Sequence, residues 1–121
     1  MKKVCVAALA FFCGLSPCNA EDFGIALDEM DIALVNRGFR PSQVLEIRII
    51  GLLILQNQKC VGSHVTPSSI VEWTRNSATR IDTPFDLLFK ASTEYGIEAM
   101  GLVEGANLKP WCDRMNAVKT N

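Results

Sequence analysis

Gln43-Val-Leu-Glu-Ile-Arg-Ile-Ile-Gly-Leu-Leu-Ile-Leu-Gln-Asn-Gln58 is the densest run of branched aliphatics outside the N-terminus, and Cys60 follows two residues later. Its period is open to two readings. Leu45, Ile47 and Ile49 alternate with Val44, Glu46 and Arg48, which is a strand pattern across residues 44–50. On a helical wheel the apolar residues surround almost the whole circumference, the pattern of a buried helix. The run is longer than the usual strand and its neighbours are helical, so a central helix is expected. Pro41 suits its first turn. Gly51 weakens a helix interior but permits close approach of another helix. Glu46 and Arg48 interrupt the apolar run, which is far too short to span a bilayer.

Upstream, residues 22–36 form one amphipathic helix, with Asp22 as its cap. Phe23, Leu27, Met30 and Leu34 fall at i, i+4, i+7 and i+11. Asp28, Glu29 and Asp31 occupy the opposite, solvated face, which could steer a basic partner. Gly38 after Arg37 reads as a left-handed stop.

Downstream, Lys59–Val65 is a loop holding Cys60 and the single histidine, His64. Thr66-Pro67 starts a third helix as N-cap and first-turn proline. Ile70, Trp73 and Ser77 are its inner face, which places Trp73 in the core. Thr83-Pro84 repeats the device for a fourth helix, with Asp86 in the first turn and Phe85, Leu88, Phe89 and Ser92 inward. Gly96 is expected to break that helix before it resumes over 97–103. Residues 107–112 return the chain to the core, with Trp111 either buried or exposed as an interface anchor. The fold expected is all-α: four or five short helices around a central buried helix, with one disulfide.

The opening Met1-Lys2-Lys3, an apolar run from Val4 to Leu15, and Ser16-Pro17-Cys18-Asn19-Ala20 read as a secretory signal peptide cleaved after Ala20. Lipidation at Cys18 or Cys13 is the alternative, disfavoured by Pro17 and Phe12 before them. The expected organisation is a leader over 1–20, a single domain over 21–121, and a periplasmic location without a membrane span in the mature chain. Without Lys2 and Lys3, ten basic residues face thirteen acidic ones, about −3. Mild acidity argues against nucleic acid. Cys60 and Cys112 then remain, and in an oxidising compartment a single pair is most simply a disulfide. Closing a loop of about fifty residues would constrain the unfolded chain by roughly 4 kcal/mol.

The chain has no Gly-rich phosphate loop, H-E-x-x-H or G-x-S-x-G, and no enzyme, metal or cofactor is expected. His64 as a general base is the weaker reading beside an exposed loop residue. Asp28, Glu29 and Asp31 lack the alternation and glycine of a calcium loop. Asp28, Glu29, Asp31, His64 and Trp111 are therefore candidates for contact with another protein.

From Cys60 onward come a short loop, Val65-Thr66-Pro67, a helix, a second proline-started helix at Pro84, and a closing Pro110-Trp111-Cys112. This order resembles the small helical immunity proteins that protect the periplasm from amidase effectors of type VI secretion. The resemblance covers about half of the mature chain. The aliphatic stretch stands where that family usually carries further cysteines or a glycine-aromatic segment. Val65-Thr66-Pro67 with Ile70-Val71 is also similar to a segment of periplasmic acid-stress chaperones, which place a cysteine in the following helix where this chain has none. Both resemblances imply a non-catalytic exported protein that neutralises or escorts another protein. An accessory component of an envelope secretion or conjugation machine is the alternative.

Overall fold

In the computed structural model, which describes residues 20–103 and 108–117, the stretch 43–58 lies inside one helix. The described residues form five helices and no strand: α1 (Ala20–Asn36), α2 (Pro41–Lys59), α3 (Pro67–Arg80), α4 (Phe85–Val103) and α5 (Leu108–Ala117). The leader expected over 1–20 falls almost entirely outside the described residues. α2 is the central element, packed against each of the other four. Ile47, Ile50 and Leu55 are fully buried along it.

Local chemistry sets most of the boundaries. α1 begins at Ala20, two residues before the expected cap at Asp22. Its four predicted stripe residues, Phe23, Leu27, Met30 and Leu34, are all buried. It ends on Gly38 at φ +102°, with the Gly38 N–H on the Val35 carbonyl and the Phe39 N–H on the Leu34 carbonyl. That pair of bonds closes a Schellman turn, which satisfies carbonyls the helix end would otherwise leave open. At the start of α2, Gln43 Oε1 accepts the Arg40 N–H at 2.8 Å, and Pro41 opens the helix. In α3, Thr66 Oγ1 accepts the Ser69 N–H and Ser69 Oγ accepts the Thr66 N–H, a reciprocal cap.

Thr83 departs from its expected role. α4 begins at Phe85, and the Thr83 hydroxyl is turned to the start of α2, where Gln43 Nε2 donates to it at 3.0 Å. The α3–α4 turn is thereby pinned to the central helix.

Gly96 does not break α4, which runs unbroken from Phe85 to Val103. A Cβ at Gly96 would lie 2.8 Å from the Gly51 carbonyl oxygen, and one at Gly51 would lie 2.9 Å from Tyr95 Cδ1 and 3.0 Å from the Ser92 carbonyl oxygen. The two glycines let two backbones touch, and the packing gained there offsets the usual cost of glycine in a helix, about 1 kcal/mol each. Ser92, Gly96 and Ala99, at i, i+4 and i+7, form the small-residue row of this seam.

The chain returns at α5. Trp111 is buried, its ring edge-on to Phe23 with centroids 6.2 Å apart. Cys112 forms the expected disulfide with Cys60, the residue that ends α2.

Candidate functional site

The side of α2 away from the seam is open. Ile49, Leu52 and Leu53 form the floor of a groove of about 480 Å³. One wall is α3, with Ser69 and Trp73; the others are His64 and Val65 of the loop and Met115 of α5. This volume falls in the range of ligand-sized clefts, about 300–1,000 Å³. Its lining is largely aliphatic and aromatic, and His64 is its one titratable group among the described residues.

Trp73 is the feature that sequence reasoning misplaced. Ile70, Thr74, Ser77 and Ala78 carry the buried face of α3. Trp73 lies at the margin of that face and is 41% exposed. Its indole is held in place nonetheless. Trp73 Nε1–H donates to Glu46 Oε1 at 3.3 Å. Glu46, 5% exposed, also accepts from Ser77 Oγ at 2.8 Å and pairs with Arg80 Nη2 at 3.1 Å. A carboxylate taken out of water needs such donors. The arrangement ties the polar edge of the indole inward while the side chain lines the groove. A tryptophan fixed in this way loses little rotamer freedom on binding, which suits it as an anchor.

The sequence-derived candidates do not converge here. Only His64 lines the groove. Trp111, proposed as an interface anchor, is only 6% exposed and presents no surface to a partner. Trp73, expected in the core, is thus the more exposed tryptophan, and of the two readings open for Trp111 the buried one holds. Asp28 and Asp31 are not a wholly solvated face: Arg48 Nη1 bridges them at 2.9 and 2.7 Å. The Tyr95 hydroxyl donates to Asp31 Oδ1 at 2.7 Å, with the Leu27 carbonyl 3.3 Å away. Burial pushes the Tyr95 phenol up from its ordinary value, and the bond to Asp31 adds to the rise. Burial alone would lower the Arg48 guanidinium, but its two carboxylate partners leave it raised. These acidic residues thus knit α1 to α2 and α4, while Glu29 stays on the exposed side of α1.

A fixed indole beside an aliphatic floor can hold an apolar side chain. Among the described residues no group of three or more His, Cys, Asp or Glu is placed to hold a metal. No described helix is long and apolar enough to cross a membrane. Compared with protein-family models, curated proteins and solved structures, the chain matches none.

Proposed function

We infer that this is an exported binding protein of the immunity or inhibitor kind, which takes an apolar anchor of another protein into the groove beside Trp73, in the periplasm. The observation that carries this reading is the half-exposed indole tied to the buried Glu46 carboxylate. Tryptophan is enriched at protein interfaces, and an apolar groove with a polar rim is a common form of contact site. The leader-like N-terminus and the order of residues from Cys60 to Cys112 support export and the immunity-like class.

The test is capture from periplasmic extract with the parent protein and Trp73→Ala side by side. The expected result is a stoichiometric protein partner retained by the parent and lost at least about tenfold with Trp73→Ala, the scale of one anchor residue. Equal capture by both would overturn the groove as the binding surface. Recovery of a large membrane complex in place of one partner would move the protein to the envelope-machine class.

A further inference from the structure

α5 is ten residues long, below the roughly 12–15 at which an isolated helix persists in water. Its exposed Lys109–Asp113 pair adds only a few tenths of a kcal/mol to such a helix. It therefore stands because it is docked. Trp111 packs edge-on to Phe23. Asn116 bonds Gln56 Nε2 at 3.1 Å and the Val61 carbonyl at 3.2 Å. The covalent tie is the disulfide from Cys112 to Cys60. Met115, on the same short helix, is one wall of the groove.

A second recess, of about 410 Å³, opens beside the disulfide. Cys112 lines it together with Leu108, Val61, Lys59, Lys109 and Asp113. The recess brings solvent up to Cys112, which like Cys60 is otherwise buried.

We propose that Cys60–Cys112 is a reducible clasp, through which a dithiol reductant frees α5 and takes down the Met115 wall while α1–α4 stay folded. The step balances as ordinary exchange. A reductant thiolate attacks one sulfur, forms a mixed disulfide and expels the other as a thiolate. The reductant's second thiol then displaces the first sulfur. Cys60 and Cys112 end as thiols, gaining two electrons and two protons, and the dithiol ends as its own disulfide. α5 then keeps only noncovalent contacts, namely the buried Trp111, the partly buried Leu108 and Met115 and two hydrogen bonds, on a helix too short to persist alone. The body keeps its glycine seam, its capped helices and the Arg48 cluster. The clasp rests on the proposed function only in that the groove is the surface it controls.

The experiment uses the exported protein without denaturant, treated with dithiothreitol, and follows amide hydrogen exchange by mass spectrometry. The Cys60→Ser/Cys112→Ser variant is run in parallel as the permanently open form. The expected result is that α5 amides exchange at least about tenfold faster in both, while α2 and α4 keep their protection. Protection of α5 unchanged after reduction, loss of protection in all helices together, or a disulfide that resists dithiothreitol until the chain is unfolded would each overturn the clasp. No partner is present, so failure of the clasp is read separately from failure of the binding proposal.

Discussion

On one side of α2, Gly51 meets Gly96, and two helix backbones come so close that a methyl group could not fit between them. On the other side, Ile49, Leu52 and Leu53 face a groove walled by a tethered tryptophan and by a short helix held on a disulfide. The same aliphatic stretch serves both sides. The first side uses the smallest residues to exclude everything, and its packing needs no other molecule. The second uses larger residues and leaves them half-covered. Density serves stability, and on the proposed function incomplete cover serves recognition, so substitutions on the two sides should separate in what they damage.

The largest effect is expected at the seam. Gly96→Val should destabilise by about 3 kcal/mol, because its side chain meets the Gly51 backbone, which cannot move aside as a flexible side chain could. Chemical denaturation should show the midpoint fall with the slope unchanged. A near-neutral result would mean that the helices separate easily and that the seam is not the dense side.

Glu46→Leu should cost about 2 kcal/mol, since Ser77 and the Trp73 indole lose their acceptor, while the half-exposed Arg80 returns to water at little cost. The same change should weaken partner capture, because the indole is no longer held. If capture is unaffected, orientation of Trp73 by Glu46 is not what makes the open side competent.

Tyr95 is the chain's single tyrosine, so absorbance at 295 nm reports its ionisation alone. Its phenol is raised above the ordinary value of 10.0 by burial and by Asp31. A raised value in the folded state means that the stability it contributes is complete below pH about 10 and is lost as pH climbs above that. The folded protein should form little tyrosinate at pH 11, where an exposed phenol would be mostly ionised. Tyr95→Phe should cost about 1 kcal/mol at neutral pH and remove this phenol's share of the alkaline loss. Half-ionisation near pH 10 would show that the α1–α4 cross-tie is absent in solution.

The smallest effect on stability is expected on the open side. Trp73→Ala should cost about 1 kcal/mol or less, because the ring is already partly in water. A loss comparable to that at Gly96 would make Trp73 a core residue and collapse the distinction between the two sides.

The sequence made the helices and the staple legible because their causes are local. Thr66-Pro67, Gly38 after Arg37, and the Phe23–Leu34 stripe each act within a turn or two. The cysteine pair follows from counting. Gly96 was misleading because a glycine in a helix is a breaker by propensity and a contact by packing, and only the position of Gly51 decides between them. Trp73 is misplaced by a sequence reading for a related reason. Trp73 lies at the edge of the buried stripe of α3, and what fixes it there is Glu46, twenty-seven positions earlier. Glu46 and Arg48 read as interruptions of an apolar run, whereas each is the centre of a polar cluster reaching other helices. The groove itself has no sequence signature, since it is a gap between α2, α3 and α5.

The most direct test places a photo-crosslinking amino acid at position 73 or, as a control, at position 97, where Ile97 is 60% exposed on α4, away from the groove lining. Each is irradiated in living cells. A discrete adduct with another protein from position 73, absent from position 97, is the predicted result. Adducts at neither position, or the same adduct at both, would contradict a recognition surface on the open side of α2.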